Sequence, residues 1–117
     1  MVNAIFIGWG PAVRGREQKS LQVFGEAVAY WTRLQQQGEI DSFETYALEP
    51  HGGELGGFLI ARGDPEKLAR LRNNEEFIRL NTRAQLIVED FGVVGAFTGA
   101  ELESLFNEFG AAAGELG

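Results

Sequence analysis

Cysteine is absent from the 117-residue chain. That excludes a disulfide framework, a thiolate metal site and a cysteine nucleophile, and it fits a cytoplasmic protein. Histidine is almost absent: His51 stands alone. With no second imidazole, no thiolate and no Asp-rich loop spaced for calcium, no metal is expected. Positive charge is scarce as well. Ten Lys and Arg face 17 Asp and Glu, a net charge of −7, which argues against nucleic acid, since a duplex binder must neutralise phosphates. Long apolar runs are missing too. No stretch approaches the ~20 residues that span a bilayer, so no membrane association is expected. Met1–Gly10 has neither a basic lead-in nor a long apolar run, so it does not read as a signal peptide.

What is present is an ordinary apolar share, 44%, in a chain of a length that suits one domain with a real core. Asn3–Trp9 reads as a strand that is apolar on both faces, ended by Gly8, Gly10 and Pro11. Arg16–Gln37 reads as a helix. At 100° per residue Phe24, Ala27, Val28, Trp31 and Leu34 gather on one side, and Gly38 stops the run. Glu39–Glu49 is a strand of mixed pattern, the most polar of the set and the natural edge strand. A glycine-rich loop, Pro50–Gly56, leads to the apolar strand Gly57–Arg62. Asp64–Pro65 opens a helical stretch to Arg83 with a cap and a proline at the first position. Asn73–Asn74 interrupts that stretch, and Asn74 can cap a second piece. Leu86–Phe97 reads as a long last strand, bent near Glu89–Asp90 and its glycines. Thr98-Gly99-Ala100-Glu101 matches a capping box, followed by the stripe Leu102, Leu105, Phe106 and Phe109. The tail Gly110–Gly117 is expected to fray.

Strand, helix, strand, strand, helix, strand is the order of the ferredoxin-like α+β fold, here with an added C-terminal helix. Residues 3–97 form its core. In that fold two helices cover one face of the sheet. A second face open to water demands strands that alternate apolar with polar, and the first and third strands do not alternate. The economical cover is a second copy, packed sheet face to sheet face in a two-fold homodimer. The final helix then packs either on its own subunit or on its partner.

With Leu86–Val94 as a long closing strand and Asn74–Leu80 before it, residues 3–97 resemble the dimeric α+β barrel superfamily, and in particular the small YCII-related proteins. The resemblance implies a ligand cleft between the helices and the concave sheet face. It also implies a range of activities, from cofactor-free monooxygenases and isomerases to haem-dependent relatives. YCII-related proteins are associated with a His–Asp pair, and here no histidine lies on or beside the first strand. No histidine follows His51 either, so no proximal haem ligand is available and no cofactor is expected.

The residues that could carry chemistry are few. His51 has a suitable unperturbed pKa for a general base, but it sits in a glycine-rich turn without a fixed neighbour. Glu89 and Asp90, if in a regular strand, face opposite sides, so one of them points inward as a base or as a structural ion pair with Arg62 or Arg83. The loop Gly8–Arg16, with Arg14 and Arg16, could hold an anion at the helix start. It matches neither a Walker A loop nor a dinucleotide fingerprint. Glu44 and Tyr46 share a strand face, and Trp9, Tyr30, Trp31 and Phe91 could form an aromatic wall, while Phe24 and Trp31 suit plain packing. His51 and Glu89 are therefore the catalytic candidates, and Trp9, Arg14, Tyr46 and Asp90 the ligand-binding ones. The leading expectation is a homodimeric small-molecule binding or accessory domain. The alternative is a cofactor-free monooxygenase, isomerase or lyase acting on a small aromatic or polyketide-like substrate. A purely structural domain that docks through its last helix is a third reading.

Overall fold

A computed structural model covers all residues, Met1–Gly117. The elements run β1 (Ala4–Trp9), α1 (Glu17–Gln36), β2 (Ser42–Ala47), β3 (Gly57–Arg62), α2 (Pro65–Arg72), α3 (Glu75–Gln85), β4 (Gly92–Ala96) and α4 (Gly99–Leu116). The four strands form one antiparallel sheet in the order β2-β3-β1-β4. This is the ferredoxin-like α+β arrangement, with the C-terminal helix added.

The pleat sorts the strand residues. Ile5, Ile7, Leu59 and Ala61 point to one side and join Tyr30, Trp31 and Leu34 of α1, Leu68 and Leu71 of α2, and Phe77 of α3 in the buried core. Trp31 is 1% exposed, and its ring meets those of Tyr30 and Phe77 edge-on, with centroids 5.2 and 6.0 Å away. The opposite, outer side carries Phe6, Phe58, Ile60, Tyr46 and Val94. Phe6, Phe58 and Tyr46 stack in a ladder, with centroids 5.3 and 4.8 Å apart. The outer face is thus apolar over its centre, with Val94 55% exposed, while Glu44 and Arg62 pair at its β2 side.

Helix starts follow local chemistry. Asp64 accepts from the Lys67 amide at 3.1 Å, and Asn74 accepts from the Glu76 amide at 2.8 Å. The expected interruption at Asn73–Asn74 is therefore a true break, separating α2 from α3. Two ion pairs join α1 to α3, Glu26–Arg83 at 2.9 Å and Arg33–Glu76 at 2.6 Å.

The last third departs from the sequence reading. The expected strand Leu86–Phe97 is a strand only over Gly92–Ala96. Leu86 closes α3, and Asp90 takes a left-handed backbone, φ +54°, which turns the chain before β4 begins. Few non-glycine residues adopt that region, aspartate more readily than most. The capping box does not form: the Thr98 hydroxyl makes no cap to α4. Instead Asn3 clamps that corner, taking the Thr98 amide at 2.8 Å and donating to the Thr98 carbonyl at 3.0 Å, while Glu101 takes the chain's terminal ammonium. The helix also runs further than the apolar stripe, since α4 continues to Leu116. Ala111–Ala113 supply the strongest helix former there, which outweighs the glycines around them.

Candidate functional site

A cavity of about 470 Å³ opens between α1, α3 and the inner face of the sheet, within the usual size range of small-molecule pockets. Its floor is Ile7 and Trp9 of β1, Leu59 of β3 and the backbone of β2 around Thr45–Ala47. Val23, Phe24, Ala27 and Trp31 of α1 form one wall; Leu80, Asn81 and Ala84 of α3 form the opposite one. The segment after α3 closes the end with Ile87, Val88 and Phe91. These positions follow from the α-helical period, which turns residues three and four apart toward one side.

The lining is nearly all apolar. Besides the indoles of Trp9 and Trp31, its polar side chains are the hydroxyls of Ser20 and Thr45 and the amide of Asn81; no carboxylate, imidazole, ammonium or guanidinium reaches it. The Ser20 hydroxyl already donates to the Glu17 carbonyl at 2.7 Å. Asn81 makes no such internal bond and is the one free amide of the wall. Leu21 and Phe24, 72% and 43% exposed, stand at the mouth. Phe24 packs edge-on to Trp9 at 5.9 Å and so belongs to the cavity rim rather than to the plain core.

The sequence-derived candidates scatter. Trp9 is in the floor. Tyr46 borders the cavity only through its backbone: its ring stacks on Phe58 across the outer face, and its hydroxyl donates to Glu44. That bond to a carboxylate holds the phenol's proton and raises its pKa. Glu44 and Tyr46 do share a face, but not the one that forms the cleft.

His51 lies exposed in the β2–β3 loop. The Gly53 amide donates to its Nδ1 at 3.2 Å, which leaves Nε2 to donate to the Leu55 carbonyl at 2.8 Å. The imidazole thus shapes its own turn. Glu89 and Asp90 lie exposed in the segment between α3 and β4, and neither pairs with Arg62 or Arg83, which hold Glu44 and Glu26 instead. Arg14 is exposed beside Gly15 and lies off the lining. Sequence reasoning missed Asn81, Ala84 and Ile87. The signal for Asn81 and Ala84 was a helical face shared with Phe77 and Leu80, one step past the interrupting asparagines.

The segment that carries Ile87 and Val88 is tightly held. Gly10 donates to the Glu89 carbonyl at 2.8 Å, Glu89 to the Pro11 carbonyl at 2.9 Å, and Val13 to the Ile87 carbonyl at 2.9 Å. Ala12 and Val88 form an isolated bridge. Loop Gly10–Val13 and segment Ile87–Glu89 therefore act as one short ribbon closing the cleft. No helix of the chain is long and apolar enough to cross a membrane.

No family model and no curated protein matches the sequence. Solved structures do. A dimeric protein of unknown function with a ferredoxin-like fold from Bacteroides fragilis is 11% identical, with a TM-score of 0.56, over 80% of this chain and 93% of that one. A dimeric ferredoxin-like protein of unknown function from Thermobifida fusca is 8% identical, with a TM-score of 0.59, over 81% and 90%. SnoaB, a cofactor-independent oxygenase from Streptomyces nogalater, is 15% identical in a mutant form, with a TM-score of 0.56, over 86% and 98%. At these identities the likeness establishes the fold: this chain is a ferredoxin-like α+β protein, shared with structures of mostly unknown function.

Proposed function

We propose that this chain binds a small, uncharged, largely apolar molecule in the cleft between α1, α3 and the sheet, as a homodimer joined through the outer sheet faces. One observation carries the ligand reading: a cavity of about 470 Å³ whose wall holds no ionisable side chain. A charged ligand there would lose its hydration without gaining a counter-charge, at a cost of several kcal/mol. Trp9, Phe24 and Phe91 offer aromatic faces, and Asn81 offers a single amide. The dimer reading is supported by the apolar outer face and by the dimeric neighbours from Bacteroides fragilis and Thermobifida fusca.

The enzyme reading draws on oxygenase neighbours such as SnoaB. The cleft supplies no general base, so the ligand would have to bring its own reactive group. Kinship to the YCII-related proteins would call for a His–Asp pair at the cleft, where His51 does not reach. Binding without chemistry is the better-supported reading.

Native mass spectrometry of the purified protein tests it. A copurifying neutral ligand is expected, lost in Ala84→Phe, where the added ring fills the cavity. A wild-type protein that carries nothing, and whose Trp9 and Trp31 fluorescence ignores neutral apolar dyes, would remove the reading.

A further inference from the structure

Helix α4 is the one helix with no buried residue. Its apolar stripe runs Leu102, Leu105, Phe106 and Phe109, and the two phenylalanines are 64% and 74% exposed. The helix is rooted at Asn3 and runs off the body. The molecule extends 53 × 38 × 22 Å with a radius of gyration of 16.3 Å, against about 13 Å for a compact chain of this length. An 18-residue amphipathic helix in water is marginal by itself, because helices draw most of their stability from a packed face.

The area a dimer needs points to a second copy of the chain as the cover for its stripe. Four strands at about 4.8 Å spacing, each about 20 Å long, give an outer face of roughly 400 Å² in projection. Ala4, Gly8, Gly92 and Ala96 lie on that face and add little side chain. A standard interface takes about 800 Å² per partner, so the sheet face alone falls short. At about 1.5 Å per residue α4 is about 27 Å long, and at about 10 Å across it adds roughly 270 Å², which removes most of that shortfall. Charge points the same way. Glu101, Glu103, Glu108 and Glu115 lie on α4 without a single Lys or Arg, so all ten basic residues of the chain sit on the body. Like charges disfavour two α4 helices side by side, whereas the body, with ten basic residues against 13 acidic ones, is the less negative surface and the one with cations to meet the α4 glutamates.

We propose that α4 is an arm that packs its apolar stripe onto the body of a second copy of this chain, beside the outer sheet face, and that the dimer is incomplete without it. This rests on the dimer reading above. Sedimentation or light scattering across micromolar concentrations tests it, with the wild-type chain expected at twice its 12.8 kDa mass. A chain ended at Thr98, and the full chain with Phe106→Glu and Phe109→Glu, are each expected to raise the dimer Kd at least about tenfold. Their far-UV spectra should keep the other helices, since α4 buries nothing in its own subunit. Val94→Glu on the outer face is the companion variant. Loss of the dimer in Val94→Glu with no change in either α4 variant overturns the arm and leaves the sheet-face dimer standing. A wild-type monomer overturns both. As a second measurement, amide exchange over 102–113 should slow as protein concentration rises; an unchanged rate counts against the arm.

Discussion

Tyr30 is 5% exposed and stacks edge-on to Trp31, with the Arg33 guanidinium 5.4 Å from its ring centre. Burial first, then the nearby Glu76 carboxylate, push its hydroxyl up to about 12, against the opposing pull of Arg33. The unfolded phenol titrates near 10. Its contribution to stability is therefore whole below pH ~10 and is lost as pH rises toward 12, because the unfolded chain releases that proton first. Urea unfolding followed by tryptophan fluorescence should show stability falling across that window. Tyr30→Phe should flatten the fall; an identical slope in both proteins would refute the assignment. Gly57 supplies a steric case. A Cβ there would lie 2.6 Å from the Tyr46 carbonyl and 2.7 Å from the Trp9 ring. Gly57→Ala should cost about 1–3 kcal/mol and disturb Trp9 fluorescence, since either the β2–β3 ladder or the cavity floor must yield. Residue roles were only partly legible in the sequence. Helical spacing put Trp31 in the core correctly, yet it put Phe24 there too. The same face of α1 runs from the packed centre of the sheet to the mouth of a cavity, and periodicity carries no depth.

Caps decide the helices one by one. The Asn74 and Asp64 side chains each satisfy an amide that the helix itself leaves free, and replacing either by alanine should cost about 1 kcal/mol in thermal or urea unfolding. The start of α4 reverses the ordinary expectation. Thr98→Ala should cost under about 0.5 kcal/mol, because its hydroxyl caps no helix amide and donates only one long bond, 3.4 Å to Asn3 Oδ1, whereas Asn3→Ala should cost about 1–2 kcal/mol through the loss of that bond and the two shorter backbone ones. Equal losses in both variants would contradict that picture. The break between α2 and α3 was legible, since paired asparagines compete with the helix backbone through their own side chains. The length of β4 was not. Leu86–Val88 has the composition of a strand, but Leu86 and Ile87 follow α3 directly, and the left-handed Asp90 stops the ladder short. Backbone sign at a non-glycine residue leaves almost no trace in composition.

The whole molecule presents two apolar surfaces that its own chain does not cover, the outer sheet face and the stripe of α4. The first was legible from strands that fail to alternate. The full length of the second was not, because a glycine-rich tail reads as frayed until its alanines are weighed. The cleft was foreseen only by resemblance, and its wall only in part. The aromatic side of it, Trp9 with Phe91, could be read from the chain, while the α3 side depends on a helix phase set after the asparagine break. Ala84→Phe tests the molecule at this scale. It should abolish uptake of neutral ligands and leave the melting temperature unchanged or raised, because a filled cavity adds contacts where none existed; ligand retained by that variant would put the binding site elsewhere.

The ribbon formed by Gly10–Val13 and Ile87–Glu89 sets how a guest would come and go. Its backbone bonds make that side of the cleft a fixed jamb. Across the mouth, α1 makes no side-chain hydrogen bond or ion pair to another element before Glu26. The first two turns of α1, with Leu21 and Phe24, are therefore held to the sheet by apolar packing alone, the Phe24–Trp9 contact included. For the proposed guest, entry and exit are expected on that side, by tilt of a helix end rather than by loop opening.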